Sequence, residues 1–224
     1  MLTTMHCSFY NEMSRKAAEL IVKEISSAKK QFSLAIPGGR SVQGLLTELS
    51  MLKMSWASVN VFMTDERLLP LTEHESNYWQ AKELFFSKAN SVHAFPFEME
   101  KGIAEYNRKF LSVTGGKLDL LVLGVGEDGH VASLFPGDEV MNTDANAYVE
   151  IHDAPKGPSE RISLSPKAIV EGKAVLLLFA SDSKKKAYDK FLDEKVSVAE
   201  CPAKIALKAQ RVFVLTVFGG KNAE

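Results

Sequence analysis

The stretch LDLLVLGVGEDGHVASLFPG, residues 118–137, decides the fold. It begins with a continuous apolar run, LDLLVLG (118–124), and passes directly into a turn that holds glycines, two acids and a histidine. A short apolar run bounded by glycines is typical of a buried strand that ends in a loop. The stretch therefore predicts a strand with a candidate site at its carboxyl end.

Similar apolar runs recur along the chain and alternate with segments whose apolar residues have helical spacing. The further runs are FSLAI (32–36), VNVFM (59–63), AVLLLFA (174–180) and RVFVLTV (211–217). The helical segments are 11–30, a segment beginning at Ser41, 76–86 and 102–111. Strands that are apolar throughout and alternate with helices indicate a mainly parallel sheet covered on both faces. We expect an α/β fold of the doubly wound type, in one domain spanning residues 1–224.

The net charge and the cysteine content limit the kinds of ligand and partner that we expect for this chain. The formal net charge of −1 gives no global attraction to nucleic acid or to an acidic membrane surface, so an anionic ligand must be held by a local site. Cys7 and Cys201 are far apart, which argues against a disulfide framework or a structural zinc site. We expect no leader and no membrane span, because the first residues lack a basic start followed by an apolar stretch and no segment approaches about 18 consecutive apolar residues. We expect a cytoplasmic protein with a small-molecule ligand, no nucleic-acid or membrane partner and no metal, either a monomer or a small homo-oligomer.

Four polar stretches follow predicted strands directly: PGGRS (37–41), TDERLLP (64–70), GVGEDGH (124–130) and ASDSKKK (180–186). In a parallel sheet ligands bind beyond the carboxyl ends of the strands, so these stretches are expected to meet at one site.

The first stretch has the features of an anion-binding loop. Gly38 and Gly39 allow close approach of a ligand to the backbone, Ser41 is a candidate cap for the following helix, and Arg40 adds a positive charge. An ordinary strand-to-helix turn would have the same pattern.

The spacing of Gly124, Gly126 and Gly129 matches the G-x-G-x-x-G fingerprint of dinucleotide sites. That fingerprint requires a long helix after the turn and an acid about 20 residues further on. Pro136 and Gly137 end any helix too early, and no acid lies at the required place. The pattern therefore argues against a dinucleotide site.

The same turn fits proton transfer. His130 is a candidate general base, and Glu127 and Asp128 are neighbouring acids that could orient it. In the second stretch, Asp65 is another candidate orienting acid, and Arg67 is placed to face negative charge that develops in a reaction. The alternative for that stretch is that Asp65 and Glu66 are a helix cap and a solvated acid, with Arg67 as their ion-pair partner.

Two further cations are candidate phosphate ligands. Lys184 stands at a predicted helix start, where a cation opposes the helix dipole unless it faces an anion. Arg161, in PSERISLS, is the second candidate. Solvated side chains are the alternative for both.

Taken in order, PGGRS, TDER, SNY (76–78), GEDGH-x-ASLFPG, ERISL and SKK resemble the 6-phosphogluconolactonases along nearly the whole chain. The resemblance implies a modified doubly wound α/β fold, shared with glucosamine-6-phosphate deaminases. It also implies hydrolysis of 6-phosphoglucono-1,5-lactone in the oxidative pentose phosphate pathway without a metal or organic cofactor.

The family's motifs assign roles to positions of this chain. The resemblance places Gly38, Gly39, Arg40 and Ser41 in a phosphate loop, with Arg161 and Lys184 on the phosphate side. It places Asp65, Arg67, Glu127, Asp128 and His130 in the catalytic motifs. The chain departs from the family where Arg40-Ser41-Val42 replaces Ser-Thr-Pro, which leaves open which groups contact the phosphate.

Two alternatives remain. A deaminase of the same superfamily typically carries Tyr at the position of Arg67 and Asn at that of Glu127, and is usually a longer chain. A non-catalytic sugar-phosphate sensor usually adds a DNA-binding segment, for which this chain has no spare length.

Overall fold

A parallel sheet of seven strands forms the centre of the structure, a computed structural model that describes residues 1–218. From one edge to the other its strands are β1 (Leu2–His6), β10 (Arg211–Thr216), β9 (Ala174–Phe179), β6 (Leu120–Gly124), β2 (Phe32–Ile36), β3 (Val59–Met63) and β5 (His93–Phe95). Every neighbouring pair is parallel. Residues 219–224, the end of the predicted domain, lie outside the described residues.

Helices cover both faces of this sheet, as expected for a doubly wound fold. One face carries α1 (Tyr10–Ser27), α2 (Gln43–Met51) and α3 (Asn77–Ala81), which continues as a π-helical segment, Lys82–Phe86. The other carries α4 (Gly102–Thr114), α5 (Pro166–Glu171) and α6 (Lys185–Leu192). Within residues 1–218, no helix combines the length and the apolar character needed to cross a membrane.

The buried strands explain the two layers. Side chains alternate between the faces of a strand, so Leu34 and Ile36 of β2 pack into the layer of α1 and α2, whereas Ala35 packs into the layer of α4. All five residues of β2 are buried, as a strand covered on both faces requires. The predicted α/β class with a mainly parallel sheet is confirmed.

A second, antiparallel sheet of three strands was not predicted. It consists of β4 (Asp65–Arg67), β8 (Arg161–Leu164) and β7 (Tyr148–Ile151). It joins the main sheet through Thr64, whose N–H donates to the Ile36 carbonyl at 2.9 Å and whose carbonyl accepts from the Leu164 N–H at 2.8 Å. The second sheet fixes the TDER stretch over the edge of the first.

The order of the strands places a crevice between β2 and β6. The chain proceeds outward from β2 to β3 and β5, and then returns to add β6 on the other side of β2. Such a reversal opens a crevice at the carboxyl ends of the two central strands. The four polar stretches follow β9, β6, β2 and β3, which are adjacent in the sheet, so they meet at this edge as expected.

Candidate active site

A cleft of about 150 Å³ lies at this edge of the sheet. Its lining consists of Pro37, Gly38, Gly39, Ser41, Asp65, Arg67, Asn77, Gly124, Val125, Gly126, His130, Ala132, Arg161 and Lys184. Most of the predicted site residues are therefore brought together in one place. Arg40, Glu127 and Asp128 are absent from the lining, although the two acids contact residues that belong to it.

His130 and Asp128 form a hydrogen-bonded pair in the turn after β6. Asp128 Oδ1 lies 2.6 Å from His130 Nδ1 and also accepts from the backbone N–H of His130 at 3.1 Å. Burial acts to raise the pKa of Asp128, but the hydrogen bonds and charge of His130 outweigh it and lower that pKa to about 2. The carboxylate of Asp128 accepts the hydrogen bond from Nδ1–H, so Nε2 is the ring nitrogen that can take a proton during a reaction.

Only glycine fits at position 126. A Cβ atom added there would lie 2.1 Å from His130 Nδ1 and 2.6 Å from Asp128 Oδ1. The Gly126 N–H also donates to the His130 carbonyl at 2.8 Å. The turn thus folds the imidazole back over the backbone, and the glycine serves this close contact rather than a dinucleotide.

Asp65 lies across the cleft in β4, with 6% of its surface exposed. Its Oδ2 accepts a hydrogen bond from the Ser133 hydroxyl at 2.8 Å, and its Oδ1 accepts one from the Thr64 hydroxyl at 3.2 Å. The carboxyl group that contacts the imidazole is that of Asp128, while Asp65 bonds to hydroxyl groups.

The interpretation of Glu66 as a solvated acid is wrong. Glu66 is 1% exposed, and its carboxylate accepts hydrogen bonds from the N–H groups of Arg67, Asn77 and Tyr78 at 2.7–2.8 Å. Burial raises its pKa to about 7 even though these N–H groups favour the ionised form. Glu66 caps the start of α3 from a position eleven residues earlier in the chain.

The side chain of Arg67 has a buried N–H donor without a hydrogen-bond partner among residues 1–218. Its Nη1 donates to the carbonyl of Glu75, which fixes the guanidinium. Its Nε is buried and has no hydrogen-bond partner within residues 1–218. Because the side chain lines the cleft, this donor is available to an oxygen atom of a bound molecule.

Arg161 and Lys184 give the cleft further positive charge. Arg161 is 6% exposed and donates to the carbonyls of Pro158 and Lys156 at 2.8 and 2.6 Å. The side chain of Lys184 is 15% exposed, and Glu127 lies 3.9 Å from its Nζ. Burial lowers the pKa of both groups. A bound anion would compensate these largely buried cations.

The phosphate-loop candidates are arranged differently from the expected helix cap. Arg40–Val42 forms a 3-10 turn before α2, and no side-chain capping bond from Ser41 is present. Gly39 has a φ of 84°, and its N–H donates to Gln80 Oε1 at 3.0 Å. The helix α2 begins at Gln43, two residues later than expected, and Ser41 lies next to Gly124 across the crevice.

Asn77 lines the cleft and was missed by the sequence reasoning. It is 2% exposed, and its side-chain Nδ2 donates to the carbonyl of Asp65 at 2.8 Å. It belongs to the SNY stretch, but its spacing from TDER carries no signal of proximity. Within the described residues 1–218, no group of three or more His, Cys, Asp and Glu side chains is placed to bind a metal ion.

Comparison with known proteins gives a family match over most of the chain. The sequence model for glucosamine-6-phosphate isomerases/6-phosphogluconolactonase matches residues 10–215. A 6-phosphogluconolactonase from Borreliella burgdorferi is 37% identical over 198 residues, which is 84% of each chain.

Solved structures share the fold. A 6-phosphogluconolactonase from Leishmania guyanensis superposes with a TM-score of 0.86 at 21% identity, over 100% of both chains. A monomeric glucosamine-6-phosphate deaminase superposes with a TM-score of 0.81 at 21% identity, over 96% of both chains. At this level of identity the superpositions establish the fold, and two activities share it.

Proposed function

Since the chain belongs to the glucosamine-6-phosphate isomerase/6-phosphogluconolactonase family, we propose that it hydrolyses 6-phosphoglucono-1,5-lactone to 6-phosphogluconate in the oxidative pentose phosphate pathway. The observation that carries the proposal is the His130–Asp128 pair, whose imidazole lines the same cleft as the cations Arg67, Arg161 and Lys184. A base beside a positive cleft suits the attack of water on the lactone of a phosphorylated sugar.

In the proposed mechanism, water adds to the lactone carbonyl while His130 Nε2 takes its proton. Asp128 holds the ring through Nδ1 and stabilises the imidazolium. The carbonyl oxygen becomes negative in the tetrahedral intermediate, and the unpartnered Nε of Arg67 donates to it. The bond from the carbonyl carbon to the ring oxygen then breaks, and the imidazolium protonates that oxygen. The products are a carboxylic acid, ionised at neutral pH, and a free hydroxyl group.

The substrate's phosphate is proposed to bind where Arg161 and Lys184 line the cleft. Arg161 and Lys184 supply charge there, and the glycines of the 37–41 loop allow a close approach to the backbone. Arg40 is an exposed residue of this loop and adds to the local positive potential. Glu127 is proposed to position Lys184.

A deaminase of the same fold is the second candidate. The nature of position 67 favours the lactonase, because an arginine with a free buried donor stabilises an oxyanion. A sensor would have no need for the hydrogen-bonded His130–Asp128 pair. We propose a cytoplasmic enzyme in which the chain acts as one domain, as a monomer or small homo-oligomer, without a cofactor or a nucleic-acid partner.

A paired assay of the purified chain tests the activity. One arm follows acid release from freshly made 6-phosphogluconolactone above its spontaneous hydrolysis, and the other follows ammonia release from glucosamine 6-phosphate. We expect activity in the first arm only. Ammonia release would assign the chain to the deaminases. Binding of sugar phosphate without turnover in either arm would indicate a sensor.

A further inference from the structure

The carboxamide of Asn77 has one end bonded and the other end free. Its Nδ2 donates to the Asp65 carbonyl at 2.8 Å, whereas its Oδ1 is buried and has no hydrogen-bond partner among residues 1–218. Asn77 as a whole is 2% exposed and lines the cleft. An acceptor buried without a partner is costly, so its presence in a binding cleft indicates that a ligand supplies the missing donor.

The orientation of this amide is fixed by its neighbours. The Asp65 carbonyl accepts only from the NH₂ end, which assigns Oδ1 to the free position. The backbone N–H of Asn77 donates to Glu66 Oε1 at 2.7 Å, so the carboxylate of Glu66 anchors the residue.

Gly38 completes this arrangement from the facing loop. A Cβ atom at position 38 would lie 2.2 Å from Asn77 Oδ1, so the amide rests directly on the glycine backbone. Asn77 is therefore held from two sides in one orientation before any ligand binds.

The chemistry of an amide oxygen selects its partner. Oδ1 only accepts hydrogen bonds, and neither an ionised phosphate nor a lactone carbonyl oxygen has a proton to give. The hydroxyl groups on the lactone ring do. We propose that Asn77 recognises one ring hydroxyl of the substrate and so selects polyhydroxylated lactones. This proposal rests on the proposed function, since it takes the lactone as the ligand.

The test combines a change in the enzyme with a change in the substrate. The values of kcat/KM are measured for the wild type and for Asn77→Ala with 6-phosphogluconolactone and with its 2-deoxy, 3-deoxy and 4-deoxy forms. In the wild type, removal of the recognised hydroxyl should lower kcat/KM about 10-fold to 100-fold, the cost of leaving a buried acceptor unpaired. In Asn77→Ala this particular penalty should disappear, while the penalties for the other two positions persist.

Two further variants protect the test against simple misfolding. Asn77→Ser retains a small polar side chain at position 77. Gly38→Ala leaves Asn77 itself unchanged, but its added Cβ would displace the Asn77 amide. Both should reduce the same penalty, and circular dichroism checks that each variant is folded. If every variant lowers kcat/KM for all four lactones by one common factor, Asn77 is structural or contacts the attacking water, and the proposal is wrong.

A failure of the proposed function gives a different result. In that case the wild type hydrolyses none of the four lactones above the spontaneous rate. Calorimetric titration of the wild type and Asn77→Ala with 6-phosphogluconate and its deoxy forms then tests the hydroxyl contact by binding alone. Equal affinity for all forms in both proteins would overturn it.

Discussion

Replacement of Glu66 by glutamine should remove a large pH dependence of stability. Glu66 is 1% exposed, and burial raises its pKa in the folded protein from 4.5 to about 7. The folded state therefore binds this proton more tightly than the unfolded state does. The contribution of Glu66 to the free energy of unfolding is fully present below about pH 4.5 and is lost as the pH rises through 7.

The size of the effect follows from the shift. A difference of about 2.5 pKa units between 4.5 and 7, at about 1.4 kcal/mol per unit, amounts to about 3 kcal/mol. Solvent screening does not reduce it, because the carboxyl group is buried. Glutamine is of similar size, does not titrate and provides only one acceptor oxygen, so Glu66→Gln also loses a constant amount of stability at every pH.

Urea unfolding of both proteins between pH 4.5 and 8 measures the effect. The free energy of unfolding of the wild type, relative to that of Glu66→Gln, should fall by about 3 kcal/mol across this range. The exposed His152, whose pKa is raised by Glu160, titrates equally in both proteins and cancels from the difference. The exposed Glu73→Gln is the matched control for the loss of one carboxylate. A stability difference between the wild type and Glu66→Gln that does not change with pH would refute the reasoning.

Three further predictions concern catalysis. Gly126→Ala should lower kcat on the order of 10²-fold or more while the protein remains folded, because the added Cβ would displace the His130 ring. Steady-state kinetics measure the effect, and a near-normal kcat would contradict the prediction. Lys184→Met should raise KM about tenfold with kcat little changed, because a phosphate ligand stabilises the bound substrate and the transition state equally. The exposed Lys186→Met is the control and should change neither constant. Asp128→Asn should lower kcat by a similar factor, on the order of 10²-fold, at every pH from 5 to 9, because a carboxylate with a pKa of about 2 is ionised throughout that range. A kcat near the wild-type value across this range would remove Asp128 from the mechanism.

Sequence patterns predicted the main sheet because its strands are apolar throughout. FSLAI and VNVFM coincide with β2 and β3, residue for residue. The carboxyl-edge rule then brought distant stretches to one cleft, since parallel strands end on the same side. The contact between His130 and Asp128 was within reach for a simpler reason, because the two residues share one turn.

Features that depend on contacts distant in sequence were missed. β4 has three residues, too few to show a periodicity, and its partner β8 lies nearly 100 residues away. The local sequence suggests that Glu66 is an exposed acid, whereas in the structure the N-terminus of α3 packs on its carboxylate. Asn77 is placed in the cleft by that same contact, so its position follows from a burial that no local pattern encodes.

The turnover of His130→Asn tests the central claim most directly. The variant, the wild type and the exposed His93→Asn control are compared for hydrolysis of 6-phosphogluconolactone above the spontaneous rate. The account predicts that kcat falls about 10²-fold to 10⁴-fold in His130→Asn, with KM little changed and with the control at the wild-type rate. A His130→Asn variant that turns over the lactone at a near-normal rate would contradict the account.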